Sequence, residues 1–251
     1  MVSPRQCVLA DWEDSYVTCA LLATGPFMKL YTYWRSQASY RVRIALALKG
    51  VPADLMTLDL LKGDQHAPAY RALNPEGVVP TLAVESGLPL MQSLAILEYL
   101  EERFPDPRLL PAELEARAHV RALAQVVAMD AHPFIVPRVR KYLEEQLGLD
   151  EAARSAWIRH WLETGTRTLE ERLTQGGRNG RLCWGDSPTV ADICLVAHVS
   201  SAKLFYGGDL AAYPTVGRIY ETCMQLEAFS ATHPLRQPDA PPPHGDERLT
   251  R

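Results

Sequence analysis

Trp34-Arg35-Ser36-Gln37-Ala38-Ser39-Tyr40-Arg41-Val42-Arg43-Ile44-Ala45 is the stretch on which the fold turns. It begins inside Lys29 to Trp34, which is rich in aromatic and β-branched residues and reads as a strand. It continues as a helix over Ser39 to Lys49, which stops at Gly50-Val51-Pro52, where Gly supplies a left-handed cap and Pro forbids a further turn. Leu55 to Leu60 reads as the next strand, and a weakly patterned segment leads from it to the turn Asn74-Pro75-Glu76-Gly77. Thr81 to Glu85 and Leu88 to Gln92 flank Ser86-Gly87 as a hairpin. Ser93 then caps a helix to Arg103, closed by Phe104-Pro105-Asp106-Pro107.

The resulting order, βαβαββα over residues 28–107, is the thioredoxin-like plan ending in a hairpin. Beyond Pro111 the period changes. Ala112 to Leu147 and Glu151 to Leu173 carry apolar residues at helical spacing, with Val120, Leu123 and Val127 and then Trp157 and Trp161 as examples. The expected fold class is therefore α/β plus all-α, with an all-helical domain over 112–236. Residues 1–27 form an irregular extension, native or translated from a start upstream of Met28. Residues 237–251, rich in Pro and charge, read as a disordered tail.

Composition narrows the function classes. The chain has 251 residues, 26 Lys+Arg against 30 Asp+Glu, and a formal net charge of −4. With 47% hydrophobic and 22% charged residues it can bury a real core, which excludes collagenous, wholly disordered and disulfide-stapled chains. The balance offers no basic footprint for nucleic acid, and no apolar run reaches the roughly 18 residues of a membrane-spanning helix. Cys7, Cys19, Cys183, Cys194 and Cys223 are odd in number, widely spaced and without a CxxC pair. Zinc and redox dithiol sites lack support, and a soluble protein of a reducing compartment, the cytoplasm, is expected. Asp11, Glu13 and Asp14 ahead of the apolar stretch Val17 to Ala23 are wrong for a secretory signal.

Three segments carry chemistry, and each has two readings. Ser36 stands where free N–H groups and the helix dipole favour an anion such as a thiolate, to which its hydroxyl can donate; alternatively Ser36 or Ser39 only caps the helix. Pro80, opening a strand in Asn74-Pro75-Glu76-Gly77-Val78-Val79-Pro80-Thr81-Leu82, either sits in a cis peptide that turns the backbone of Val79 toward an extended peptide, or is an ordinary strand starter. Ser93, in Gln92-Ser93-Leu94-Ala95-Ile96, holds a ligand carboxylate or merely caps its helix. All three fall at corresponding corners of one βαβαββα unit.

Trp34 to Ala45, Val79-Pro80-Thr81-Leu82 and Gln92-Ser93-Leu94-Ala95-Ile96 resemble the glutathione-binding half of the zeta class of glutathione transferases, which includes maleylacetoacetate and maleylpyruvate isomerases. The likeness runs from Met28 to Pro234, taking in Arg121-Ala122-Leu123-Ala124-Gln125, Asp130-Ala131-His132-Pro133 and Gly185-Asp186-Ser187-Pro188-Thr189-Val190-Ala191-Asp192. It implies glutathione as cofactor, a homodimer, and Ser36 as the serine that hydrogen-bonds the glutathione sulfur. It places Gln37, Val79 and Pro80 against the tripeptide, Gln92 and Ser93 on its γ-glutamyl end, and Gln125 within reach of it across a dimer interface. Thr189 and Asp192 match the family's folding motif, a capping box.

The departures bear on the reaction. Ser36-Gln37-Ala38 stands where the class has Ser-Ser-Cys, Ile135 and Val136 replace an asparagine pair, and Leu204 takes the place of an arginine, with Lys203 one position off. A maleyl dicarboxylate needs cations at the far side of its pocket. Arg35, Arg138 and Lys203 are the candidates left, with His132 and Val136 as further pocket residues. Arg35 reads equally as a carboxylate anchor or a solvated charge, Lys203 better as a solvated helix charge, and His132 better as filling a helix break. In the isomerase reading, the glutathione thiolate adds to the cis double bond, the single bond rotates, and elimination gives the trans isomer. The alternatives are a transferase or dehalogenase acting on small electrophiles, which an apolar Ile135 and Val136 favour, and a non-catalytic glutathione-binding scaffold.

Overall fold

The computed structural model describes residues 28–85, 87–176 and 180–242. The expected extension over 1–27 lies outside them. Strand β1 (Lys29–Thr32), helix α1 (Gln37–Lys49) and strand β2 (Asp54–Thr57) are followed by a 3-10 turn at Asp64–His66 and helix α2 (Pro68–Leu73). Strands β3 (Thr81–Ala83) and β4 (Leu90–Met91) and helix α3 (Ser93–Arg103) complete the unit. The sheet order is β2-β1-β3-β4, with β1 parallel to β2 and antiparallel to β3, and β3 antiparallel to β4. The thioredoxin-like expectation is met.

The strands are shorter than their residue types suggest, for local reasons. Beyond Thr32 the chain turns, the Ser36 N–H donating to the Tyr33 carbonyl at 3.0 Å. On the edge strand β2 the extended run stops where Asp59 Oδ1 accepts the N–H groups of Leu61 and Lys62 at 3.0 and 3.3 Å, a side-chain turn that competes with pairing. The weakly patterned segment contains α2, started by Pro68 in its first turn. Gly50 caps α1 in the left-handed region at φ 64°, as its place before Pro52 requires.

Helices α4 (Leu114–Ala128), α5 (Pro137–Glu145), α6 (Glu151–Gly176), α7 (Val190–Tyr206), α8 (Pro214–Met224) and α9 (Glu227–Ser230) form the second part, and it has no strand among the described residues. The stretch expected to be helical over Ala112 to Leu147 breaks between α4 and α5 into a 3-10 turn, His132–Phe134, with Pro133 in it and Pro137 opening α5. Helix α7 is buried along most of its length, as an apolar-all-round helix must be. Its start is tied by Asp192, whose carboxylate accepts the Thr189 N–H at 2.8 Å, the Thr189 hydroxyl at 2.7 Å and the Cys183 N–H at 2.8 Å.

One core joins the two parts. Leu30, Leu82, Ile44, Ile96 and Leu100 from the sheet unit are continuous with Val120, Val127, Ile193 and Val196 from the helices. At about 1.5–3 kcal/mol per fully buried large aliphatic side chain, this shared core outweighs any single polar contact between them. A smaller aromatic cluster, Tyr33, Trp34, Tyr70 and Phe205, lies where the first βα connection meets the end of α7, with the Trp34 and Phe205 rings 5.7 Å apart and edge to face. The expected disordered tail is corrected here. The Trp34 N–H donates to Asp239 Oδ2 at 2.9 Å and Ala240 packs on the aromatic cluster, so residues 237–242 return to the fold, while 243–251 lie outside the described residues. No helix of the described residues is long and apolar enough to cross a membrane.

Candidate functional site

Ser36 is the N-cap of α1, and its Oγ accepts the Ser39 N–H at 3.2 Å. Capping and donation are compatible. A hydroxyl has two lone pairs and one hydrogen, and the cap engages only a lone pair, leaving the hydrogen to donate outward. The same helix start supplies the positive end of its dipole. Gln37, the first helical residue, is buried, and both polar atoms of its amide lack a hydrogen-bond partner among the described residues. Arg41 and Arg43 are buried behind this turn. Arg43 braces it, donating to Thr32 Oγ1 at 2.9 Å and to the carbonyls of Tyr33 and Trp34 at 3.3 Å, with burial lowering its pKa to about 10.

The Val79-Pro80 peptide is cis. Asn74, wholly buried, shapes the approach to it: its amide donates to the Val78 carbonyl and to Thr81 Oγ1, both at 2.9 Å, while its Oδ1 accepts the Glu76 N–H at 2.9 Å. Val79 is packed against the aromatic cluster, and its N–H and C=O have no partner among the described residues. An unpaired backbone donor and acceptor side by side are what an extended peptide can pair with.

At the third corner the expected roles shift by one residue. Gln92, not Ser93, occupies the cap position of α3, and it does so at φ 66° and ψ 112° with no side-chain cap. It is the only positive-φ non-glycine residue of the described chain. Such a conformation costs about 1–3 kcal/mol and persists where surrounding structure holds it. Here the Gln92 amide donates to Glu76 Oε2 at 2.7 Å. Ser93 is buried in the first turn, and its Oγ accepts from Arg41 Nη1 at 3.2 Å, which again leaves the hydroxyl hydrogen free. Arg41 Nε and Nη2 have no hydrogen-bond partner among the described residues, and burial lowers the pKa of this guanidinium. Glu76, beside Gln92, carried no motif of its own in the sequence.

The cationic side of the cleft departs most from expectation. Arg35 lies over the Phe205 ring at 4.2 Å; burial, foremost, and the charge of Arg140 lower its pKa. The guanidinium that faces it belongs to Arg140, whose Nη1 is 3.5 Å from Tyr206 Oη. Arg138, one of the expected cations, is exposed. Lys203 points to α8, 3.5 Å from Glu221 and over the Tyr220 ring at 5.0 Å. Val136 is the half-buried cap of α5, and Ile135 is buried with Ile158, Leu162 and Ala202 in the helical core, which weakens the argument for an apolar acceptor wall. His132 opens the 3-10 turn; burial, then the charge of Arg41, holds its imidazole well below its ordinary range.

Gln125 is exposed on α4, beside Leu94, Glu98 and Arg121 in a depression next to the start of α3. Cys183, Cys194 and Cys223 are buried free thiols. Burial raises all three, Cys194 to about 11, so none is a nucleophile at neutral pH. The described residues contain no cluster of side chains able to hold a metal ion.

A thioredoxin-like sheet with a serine at the start of its first helix and a cis proline opposite, joined by one core to a helical bundle, defines the glutathione transferase fold. The family described as glutathione S-transferase, N-terminal domain, matches residues 30–108. Maleylpyruvate isomerase of Ralstonia sp is 44% identical over 213 residues, 85% of this chain and 100% of that protein. A holo structure of maleylpyruvate isomerase, described as a bacterial glutathione S-transferase in the zeta class, superposes with a TM-score of 0.82 at 43% identity, covering 85% of this chain and all of that one. Maleylacetoacetate isomerase from Methylobacterium extorquens AM1, with bound malonate and glutathione, gives 0.81 at 49% identity over 85% of this chain and 100% of its own. The chain belongs to the zeta class of glutathione transferases, the maleylacetoacetate and maleylpyruvate isomerase family.

Proposed function

We propose that the protein is a glutathione-dependent cis–trans isomerase of maleyl compounds, maleylacetoacetate or maleylpyruvate, acting as a cytoplasmic homodimer in aromatic catabolism. The observation that carries this reading is the Ser36 hydroxyl, held by its cap bond so that its hydrogen is free at a helix start. Around it stand polar groups that a peptide with a carboxylate would satisfy. Among the described residues the N–H and C=O of Val79 have no partner and the buried Gln37 amide is unpaired, while the hydroxyl of Ser93 is backed by the cation of Arg41. Bound glutathione would supply the thiolate that adds to the cis double bond and leaves after rotation.

The chain's own part is to lower the cost of that sulfur anion and to orient both reactants. Ser36 donates to the sulfur, with the α1 dipole behind it. Val79 pairs the cysteinyl backbone, Ser93 donates to the γ-glutamyl carboxylate, and Glu76, with Gln92, offers an acceptor to its ammonium. Gln125 is placed to reach glutathione from a partner subunit. Arg35, stacked on Phe205, holds a substrate carboxylate, and a guanidinium resting on an aromatic face loses little freedom when it does.

Ser36→Ala tests the assignment. Removing one donor of this kind costs about 10²- to 10³-fold in turnover, with glutathione affinity by calorimetry almost unchanged. Equal losses of turnover and affinity would make Ser36 a binding residue only. Rates on maleylpyruvate and maleylacetone, set beside chlorodinitrobenzene and dichloroacetate, separate isomerase from transferase or dehalogenase. Sedimentation at the mass of one 28.0 kDa chain would overturn the dimer.

A further inference from the structure

We infer that Arg140 and Tyr206 form, with Arg35, a two-cation clamp for the second carboxylate of the substrate, so that Arg140 sets this protein's preference for dicarboxylates. The inference rests on the isomerase reading and adds to it a residue for which the sequence carried no signal. Arg140 stands on the first turns of α5 and Tyr206 is the last residue of α7, so the two helices meet at the cleft above the Ser36 turn. Arg140 Nη1 is 3.5 Å from Tyr206 Oη, and Arg35 lies over the adjacent Phe205 ring at 4.2 Å, so the end of α7 brings the two guanidinium groups into one neighbourhood.

Two like charges brought together repel. Arg140 lowers the pKa of Arg35 after burial has done so. Among the described residues no carboxylate comes within ion-pair distance of Arg140: nearby Glu144 pairs with Arg154 at 3.1 Å, and Lys141 takes Glu145. Arg140 Nε is buried and has no hydrogen-bond partner among the described residues. A buried charged donor without an acceptor is costly. An anion seated between the guanidiniums removes both penalties at once, and the forked geometry of arginine suits a carboxylate. The other candidate cations are not placed for this, since Lys203 is turned to Glu221 and Arg138 faces outward. The cleft has thus recovered on α5 a cation that Leu204 does not supply on α7.

The test uses the full chain loaded with glutathione. Arg140→Met should raise KM for maleylpyruvate by roughly ten-fold or more, the range for losing a charged hydrogen bond, and weaken malonate binding by calorimetry to the same degree. The glutathione dissociation constant and the rate on chlorodinitrobenzene, which has no carboxylate, should stay as in the wild type. Arg140→Lys should recover part of the lost affinity, and thermal melts should show both variants folded. An unchanged KM and unchanged malonate affinity in Arg140→Met would overturn the clamp, as would wild-type protein that takes up no malonate. A wild type that binds malonate in an Arg140-dependent way yet isomerises nothing would support the clamp and sink the isomerase reading instead.

Discussion

His198 sits in the middle of α7, wholly buried, with Nε2 3.1 Å from both the Leu162 carbonyl and Thr166 Oγ1. Its Nδ1 has no partner among the described residues, and Gly165 of α6 packs so close to the ring that a Cβ there would lie 3.1 Å from Cε1. Burial lowers this imidazole from 6.5 to about 4. The unfolded chain therefore takes up a proton near the ordinary value while the folded chain resists it. The resulting stability is complete above pH about 6.5 and is lost as pH falls toward about 4, by about 3 kcal/mol for a shift of this size. Denaturant titrations at pH 7 and pH 4.5 should show the drop, and His198→Gln, which keeps a donor for Leu162, should reduce it. An equal drop in both proteins would refute the assignment. Neither the depth of His198 nor the role of Gln92 could be read from neighbours in sequence, because burial and φ are imposed by packing. Ser36 was different: a cap is made with the next three residues, and it was legible.

Between elements, Lys49 at the end of α1 is tied to Glu101 near the end of α3, 2.6 Å apart and almost without solvent. Glu101 also accepts the N–H groups of Leu109 and Leu110 at 2.8 and 3.2 Å, and Lys49 donates to the Pro107 carbonyl at 2.6 Å. The pair thus fastens the linker between the two parts to both helices. Lys49→Met leaves the carboxylate buried without its cation and should cost about 3–5 kcal/mol in equilibrium unfolding. Adding Glu101→Leu should cost less than the two single changes summed, and strict additivity would show that the ion pair carries no coupling. The sequence placed both helix ends correctly through Gly50-Val51-Pro52 and Phe104-Pro105, yet nothing in it coupled Lys49 to Glu101. Helix ends are marked by adjacent residues; which ends meet depends on the angle at which α1 and α3 cross the sheet.

Over the chain as a whole, the last described segment closes back on the first connection, with Asp239 accepting the Trp34 N–H from 205 residues away. Asp239→Ala leaves a part-buried N–H unpaired and should cost about 1–3 kcal/mol, whereas Asp239→Asn keeps an acceptor oxygen and most of the stability. Thermal unfolding of the two variants decides this, and equal losses would mean the charge, not the hydrogen bond, matters. The Pro-rich composition that suggested disorder is equally suited to an extended strap, since Pro forbids helix but not packing.

The division follows from the range of the forces. Order of elements, the Ser36 and Gly50 caps, breaks, the Thr189–Asp192 lock and the corners at Ser36, Val79-Pro80 and Gln92-Ser93 were readable in the chain, because each depends on residues within a few positions. The choice of Arg140 over Arg138 and Lys203, the φ of Gln92, the burial of Ile135 and the return of Asp239 came from the folded molecule. Each depends on which distant surfaces the shared core brings together, and about half a turn of helix rotation moves a side chain from the cleft to solvent.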